Sequence, residues 1–217
     1  MRLVAFDFDG TLSPTEMTVP LGERRQVGDE MAEITERAMN DELEYAESLR
    51  RRVALLEGLS LEEVDEAFAE LSLRSGAPEL LEALQAAGVV TAILTGGFER
   101  GVRAALDRAG VGVDVIIANR LLLDGEYLSG EVDGQLVETD KGDRFRALLE
   151  EYSMLPSETI AVGDGANDRE MLNEAGLGVC FRPKPTIRPV CDETVDEMSE
   201  LRALLADRGV LDPPSTG

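Results

Sequence analysis

TIAVGDGANDREML (159–172) carries the clearest structural signal in the chain. Its first four residues form a short, β-branched apolar run that is typical of a buried strand. GDGAND follows at once, so two aspartates, an asparagine and two glycines stand where a strand passes into a helix. Ligands of open α/β sheets bind outside the carboxyl ends of the strands. The stretch therefore predicts a polar functional site at a strand end.

The rest of the chain repeats the alternation of apolar runs and helical patterns. The other predicted strands are RLVAFDF (2–8), VVTAILT (89–95), VDVIIA (113–118) and LGVCF (177–181). The predicted helices of this part are PELLEALQAAG (78–88) and DRFRALLEEY (143–152). Nearly continuous apolar strands that alternate with helices indicate a Rossmann-like, doubly wound parallel sheet of the α/β class. Two Asp-Gly turns within 121–137 predict a β-hairpin beside it.

Residues 14–75 interrupt this rhythm, because their patterns are helical only. We predict helices over roughly 28–56 and over 60–73, the second behind a capping box of Ser60 and Glu63. The simplest arrangement is a small all-helical cap inserted after the first strand. The predicted domains are an α/β hydrolase core of 1–13 and 76–210, a cap of 14–75, and a disordered tail of 211–217.

The composition narrows the possible partners. Asp and Glu number 44 against 21 Lys and Arg, a formal net charge of −23, which repels nucleic acid and anionic membranes. Such an acidic protein fits a surface adapted to high salt. The first residues do not form a secretory signal and no run is long enough to span a membrane, so we expect a cytoplasmic protein. We expect it to be a monomer or a homodimer. Cys180 and Cys191 match no metal or redox spacing and are expected to be thiols in a reducing compartment.

Four polar clusters fall at expected strand ends or helix starts. Asp7 and Asp9 of DFDGT are two residues apart, so an extended backbone turns both carboxylates to one side. TGGF (95–98) offers a hydroxyl and backbone N–H groups that suit an anion. The third cluster is Lys141, one of only two lysines, and the fourth is GDGAND itself. Each cluster taken alone could be an ordinary turn, a helix cap or a surface charge. Together they supply ligands for a hard cation and hydrogen-bond donors for an anion.

DFDGT, TGG, Lys141 and GDGAND resemble, in order, the four motifs of the haloacid dehalogenase-like hydrolases. Within that superfamily, the helical cap followed by TGGF and GDGANDxxML is most similar to phosphoserine phosphatase. The resemblance implies a magnesium-dependent phosphomonoesterase of serine and amino-acid biosynthesis that acts on a small phosphorylated metabolite, with O-phosphoserine favoured. It also implies an aspartyl-phosphate intermediate.

The resemblance assigns roles residue by residue. Asp7 is the expected nucleophile and Asp9 the expected general acid and base. The expected Mg²⁺ ligands are Asp7, Asp9 (through its carbonyl), Asp164 and Asp168. The residues expected to hold the phosphoryl group are Thr95, Gly96, Gly97, Lys141 and Asn167. The residues expected to bind the amino acid are Glu16, Met39, Tyr45 and Arg52.

Two departures leave alternatives open. The family usually has serine where Gly10 and Thr95 stand. Because of Gly10, the resemblance identifies the reaction more firmly than it identifies the substrate. A phosphatase for another small phosphoester, or a phosphotransferase, remains the main alternative. A signalling receiver also uses aspartate, magnesium and lysine, but the helical insert and the second acidic pair argue against it. Dinucleotide binding is disfavoured because Asp168 replaces the third glycine of that loop.

Overall fold

The computed structural model describes residues 2–39 and 42–212, with Met39 described by its backbone alone. Within these ranges, seven strands form one sheet in the order β4-β3-β2-β1-β5-β6-β7. The strands are β1 (Leu3–Phe6), β2 (Val90–Phe98), β3 (Val115–Asp124), β4 (Tyr127–Gly134), β5 (Thr159–Gly163), β6 (Leu177–Phe181) and β7 (Glu193–Val195). Every neighbouring pair is parallel except β3 and β4. The predicted doubly wound sheet is confirmed.

Helices cover both faces of this sheet. They are α1 (Thr18–Arg25), α2 (Gly28–Met39), α3 (Tyr45–Ala54), α4 (Leu61–Phe68), α5 (Ala77–Ala86), α6 (Glu99–Ala109), α7 (Lys141–Glu151), α8 (Arg169–Glu174) and α9 (Met198–Asp207). The strand β1 shows why both faces are needed. Val4 and Phe6 belong to one buried cluster and Leu3 and Ala5 to another, so alternate side chains enter two separate cores.

The topology places a crevice at the centre of the sheet. The strand β1 lies between β2 and β5, and the chain builds the sheet outward from it in both directions. The strand order changes direction between β1 and β5, and a crevice forms at the carboxyl ends of two such strands. Asp7 follows β1 and Asp164 follows β5, so the topology brings two residues 157 positions apart to one edge.

The helical insert differs in detail from the prediction. The single helix expected over 28–56 is two helices, α2 and α3, and α1 was not predicted at all. Residues 42–44, which separate the two helices within the described chain, are not helical. The helix α4 is shorter than predicted, but its capping box is confirmed: Ser60 Oγ accepts the Glu63 N–H at 3.2 Å, and Glu63 accepts the Ser60 N–H at 2.9 Å.

The hairpin predicted within 121–137 is confirmed, and it ties the helical insert to the sheet. Gly125 turns the chain between β3 and β4 with φ +64°. The Gly58 N–H donates to the Leu128 carbonyl at 2.8 Å, and the Leu128 N–H donates to the Leu59 carbonyl at the same distance. These backbone bonds fix the segment between α3 and α4 against the hairpin.

The expectation of two free thiols is wrong. Cys180 at the end of β6 and Cys191 just before β7 are joined by a disulfide, with their Cα atoms 5.6 Å apart. The reason is topological: β6 and β7 are neighbours in the sheet, so the segment between them returns beside β6. Sequence spacing alone does not reveal that return, and the strand β7, only three residues long, was not predicted.

The folded core extends further toward the C-terminus than the predicted boundary at residue 210. Leu211, placed in the tail by the sequence, is buried with the core cluster. The remaining tail residues 213–217 lie outside the described residues. Over the described residues, no helix combines the length and the apolar character needed to cross a bilayer.

Candidate active site

A buried ion cluster forms the centre of the site. Lys141, the first residue of α7, places its Nζ 2.5 Å from Asp7 Oδ1 and 2.6 Å from Asp168 Oδ1. All three side chains are almost completely buried. Burial alone would lower the pKa of Lys141, but Asp168 and Asp7 raise it well above its ordinary value. The lysine is therefore a permanent cation between two acids.

Asp164 completes an acidic cluster around this lysine. One carboxylate oxygen from each of Asp7, Asp164 and Asp168 lies within 4.8 Å of the others. The loop after β5 holds Asp168 in place, because the N–H groups of Asp164 and Gly165 both donate to its Oδ2 at 2.9 Å. Three buried carboxylates thus converge at the crevice from two different strands.

This cluster fits a divalent cation. Burial and the nearby Asp168 raise the pKa of Asp7 well above its ordinary value, although Lys141 lowers it. Burial likewise raises the pKa of Asp164. The neighbouring lysines therefore compensate only part of the negative charge of these acids. Their oxygen donors are the type that hard divalent cations prefer, and such a cation would keep the acids ionised.

Asp9 lies beside this cluster in a different environment. Its Oδ1 accepts the Met17 N–H at 3.1 Å. Burial, reinforced by Glu16, raises the pKa of Asp9 to about 7 against the opposing effects of Met17, Lys141 and Arg52. A carboxyl group with this pKa exists in both protonation states near neutral pH, as a general acid and base must.

Gly10, one of the two departures from the family pattern, lies directly against the acidic cluster. Its φ is +88°, and a Cβ at this position would lie 2.5 Å from Asp164 Oδ2. A side chain would therefore displace an acid of the cluster. Arg74, just before α5, secures the same loop, since its guanidinium donates to the carbonyls of Gly10 at 2.8 Å and Thr11 at 3.0 Å.

The TGG segment ends β2 beside the cluster. Thr95 is buried, and its Oγ1 accepts the Gly97 N–H at 3.0 Å. The Gly96 carbonyl accepts a hydrogen bond from the Asn119 side chain at 3.0 Å. A Cβ on Gly96 would lie 1.8 Å from the hydroxyl of Tyr45. The phenol of this insert residue therefore rests directly on the glycine turn.

Among the remaining predicted residues, Arg52 and Glu16 lie near Asp9, because the charges of both affect its pKa. Arg52 on α3 has a buried Nε for which no described atom is a hydrogen-bond partner. Glu16 is exposed yet close enough to raise the pKa of Asp9, and Asn167 is exposed at the loop after β5. The side chain of Met39 lies outside the described residues.

Three residues that position the site were not predicted. They are Met17, Arg74 and Asn119. Asn119 had a detectable signal, because a buried amide interrupts an apolar strand; its Oδ1 also accepts the Leu136 N–H at 3.0 Å. Met17 and Arg74 carry no comparable signal. Met17 acts through its backbone N–H, which any residue but proline has, and the Arg74 side chain reaches the loop after β1 only in the folded chain.

Known proteins are similar to this chain in sequence and fold. The family model of haloacid dehalogenase-like hydrolases matches residues 4–173. A phosphoserine phosphatase of Halobacterium salinarum is 47% identical over 210 residues, which cover 97% of this chain and 100% of that protein. One from Lactococcus lactis is 40% identical over 204 residues, 93% of each chain.

Solved structures agree with the sequence relatives. A substrate-bound phosphoserine phosphatase superposes with a TM-score of 0.85 at 32% identity, covering 94% of this chain and 96% of that one. A phospho-aspartyl intermediate analogue of a phosphoserine phosphatase gives 0.84 at 33% identity, covering 94% and 97%. The order of the motifs, the acidic cluster and these matches lead to one conclusion: the chain belongs to the haloacid dehalogenase-like hydrolases.

Proposed function

We propose that the protein is a magnesium-dependent phosphoserine phosphatase, which hydrolyses O-phosphoserine to serine and phosphate through an aspartyl-phosphate on Asp7. The observation that carries the chemistry is the convergence of Asp7, Asp164 and Asp168 around Lys141 at the carboxyl ends of adjacent strands. The near full-length similarity to phosphoserine phosphatases supports the substrate. The released serine would place the reaction in amino-acid biosynthesis.

The first step is nucleophilic attack. An Asp7 oxygen forms a bond to phosphorus while the bond from phosphorus to the serine oxygen breaks. Asp9 donates its proton to that leaving oxygen. Lys141, with Thr95, Gly96, Gly97 and Asn167, would hold the phosphoryl oxygens, where charge must be stabilised in the transition state.

The second step releases the phosphate. Asp9, now ionised, takes a proton from water, and the water oxygen attacks phosphorus as the bond to Asp7 breaks. When bound, Mg²⁺ would add positive charge beside the phosphoryl oxygens and the acids. Asp7, Asp164 and Asp168 are its proposed side-chain ligands, together with the Asp9 carbonyl.

The helical insert is proposed to act as a cap that selects the substrate. Arg52 would pair with the serine carboxylate and Glu16 with the ammonium group, while Met39 and Tyr45 would line the pocket. The unpartnered Nε of Arg52 supports this role, because a buried guanidinium N–H without a protein acceptor suits an anionic ligand. The backbone bonds to the hairpin would keep the α3–α4 end of the cap in place during closure.

The partner we propose is a small phosphorylated metabolite rather than a nucleic acid, because a net charge of −23 repels polyanions while a compact site can reverse the sign locally. We also propose a cytoplasmic location, since charged phosphoesters do not cross bilayers and are retained inside the cell. Disulfides are rare in that compartment, so the redox state of Cys180 and Cys191 in cell extracts is a useful measurement.

The test is Mg²⁺-dependent phosphate release from a panel of phosphomonoesters. The panel should include O-phospho-L-serine, O-phospho-L-threonine, glycerol phosphate and p-nitrophenyl phosphate, at low and at molar salt, with and without an acceptor alcohol. We expect the highest kcat/KM for O-phospho-L-serine, with phosphate as the product. Preference for another ester, or transfer to the alcohol, would favour the alternative functions within the family.

Arg52→Ala tests the substrate assignment. We expect kcat/KM for O-phospho-L-serine to fall by about 10- to 100-fold, because a charge-assisted hydrogen bond is worth about 1.5–3 kcal/mol. Turnover of p-nitrophenyl phosphate, which has no carboxylate, should change little. Arg50→Ala, an exposed arginine on the same helix, is the matched control. Equal losses on both substrates would count against a carboxylate at Arg52.

A further inference from the structure

Lys184 is the second of the two lysines in the chain, and the proposed mechanism does not use it. It lies in the segment between β6 and β7, outside the four motifs. Its Nζ is 3.1 Å from Asp164 Oδ2, and its backbone N–H donates to the Asp164 carbonyl at 3.0 Å. Lys184 therefore contacts both the side chain and the backbone of Asp164.

The surrounding segment is well anchored, so this contact is built into the fold. The disulfide between Cys180 and Cys191 closes the segment at its two ends. Ile187 is fully buried, and its N–H donates to the Lys184 carbonyl at 3.1 Å. Arg169, at the start of α8, donates to the Thr186 carbonyl at 2.8 Å. The lysine is held beside Asp164 by contacts on both sides of it.

Lys184 approaches the cluster from the solvent side. Its side chain is 43% exposed, whereas that of Asp164 is 9% exposed, so Lys184 covers the outer oxygen of the acid. Lys141 contacts the other two acids, Asp7 and Asp168, from the buried side. The two lysines thus divide the three carboxylates between them.

The charges in this arrangement have a direct consequence for metal binding. The Lys184 ammonium is partly exposed to solvent and paired with Asp164, so it carries its charge near neutral pH. A cation fixed on Asp164 neutralises part of the charge that attracts a divalent ion and repels that ion directly. Both effects oppose metal binding at the same carboxylate.

We propose that Lys184 is a further residue of the metal site: a tethered cation that shares Asp164 with the divalent ion and thereby lowers the affinity of the site for it. The role is a positioning and charge-balancing one, exerted through Asp164. It lets the acidic cluster remain folded without an ion and keeps ion binding reversible. The inference rests on the proposed function only in requiring that the site binds a divalent cation.

The test is isothermal titration calorimetry of the full-length protein with MgCl₂ alone, at low ionic strength and neutral pH. We expect Lys184→Met to bind Mg²⁺ about tenfold more tightly than wild type, the size of effect that a nearby unit charge exerts on a divalent ion under water-like screening. Lys184→Arg keeps the charge and should bind as wild type does. Arg188→Met removes one exposed charge from the same segment and is the matched control.

Thermal unfolding supplies a second readout that does not depend on turnover. Mg²⁺ should raise the Tm of Lys184→Met more than that of wild type, because the ion and the lysine compensate the same acid. The difference should shrink in molar KCl, since salt screens a partly exposed charge. Unchanged or weaker Mg²⁺ affinity in Lys184→Met would overturn the inference. A wild-type protein that binds no Mg²⁺ would instead overturn the proposed function.

Discussion

Asp7→Asn is expected to lower kcat for O-phospho-L-serine by about a thousandfold or more, because the amide cannot act as the attacking nucleophile. Asparagine has nearly the same size as aspartate, so the β1 end and the contacts around Lys141 can persist. The effect should be the same for every phosphomonoester, since all of them require the same attack. Mg²⁺-dependent phosphate release, measured with substrate in excess, provides the comparison.

The control must separate chemistry from folding and charge. Asp212→Asn makes the same chemical change at an exposed position outside the site and should retain wild-type turnover. Circular dichroism and the Tm of Asp7→Asn should show a folded protein; removal of one buried acid from a repulsive cluster is not expected to destabilise the metal-free state. Turnover by Asp7→Asn at the wild-type rate is incompatible with an aspartyl-phosphate at Asp7.

Asp9→Asn is the second large effect, and its size should depend on the leaving group. Serine leaves as a strongly basic alkoxide that needs a proton, so turnover should fall by about 10²- to 10⁴-fold. The p-nitrophenolate ion leaves without one. With p-nitrophenyl phosphate we therefore expect a burst of one p-nitrophenol per active site, followed by a stall, because the variant lacks the base that activates water. Rapid mixing and absorbance measure both phases.

The absence of a burst would contradict the two roles assigned to Asp9. If Asp9→Asn lost phosphorylation equally with both substrates, the residue would be acting on the phosphoryl group or on the cation instead. Asp9→Glu is an informative companion, because it keeps the ionisable group but moves it by one methylene. It should recover part of the water-activating step if proton transfer is what Asp9 provides.

The pKa of about 7 for Asp9 predicts opposite pH dependences for the two steps. Below this value the carboxyl group is protonated and can donate, so phosphorylation by O-phospho-L-serine should be fast and should slow as the pH rises through about 7. Hydrolysis of the aspartyl-phosphate needs the ionised form and should accelerate over the same interval. Single-turnover measurements between pH 5.5 and pH 8.5, roughly 1.5 units on each side of the pKa, resolve the two limbs.

The central sheet was predictable because its strands are buried on both faces. The runs at β1, β2, β5 and β6 are nearly continuously apolar, and this pattern needs no tertiary information. The location of the candidate site followed from the sheet, since Asp7, Thr95 and Asp164 come directly after or within the ends of such strands. For these parts, local sequence and one topological rule were sufficient.

The insert was harder to predict because several short amphipathic helices share one periodicity. The pattern across 28–56 satisfies a helix throughout, so the periodicity does not show the boundary between α2 and α3. The helix α1 was obscured by Pro20 and Gly22, both of which are buried within it. Proline is tolerated in a first turn, but it weakens a helical signal.

The contacts that refine the site depend on tertiary structure and were not predictable. Tyr45 reaches Gly96, Arg74 reaches the Gly10 carbonyl, and Lys184 reaches Asp164 only after the insert and the β6–β7 segment have folded onto the sheet. The disulfide belongs to the same group, because it depends on a strand pairing. Sequence therefore supplied the proposed reacting groups, whereas the structure was needed to find the contacts that position them.

The most direct test of the account is to look for the phosphoryl group on Asp7. Asp9→Asn protein is mixed with p-nitrophenyl phosphate and MgCl₂, quenched in acid, digested and analysed by mass spectrometry. The account predicts one phosphoryl group per active site, carried by the peptide containing Asp7, and none when Asp7→Asn is added to the same protein. A phosphoryl group on any other residue, or rapid phosphate release with no phosphorylated peptide and no burst, would contradict it.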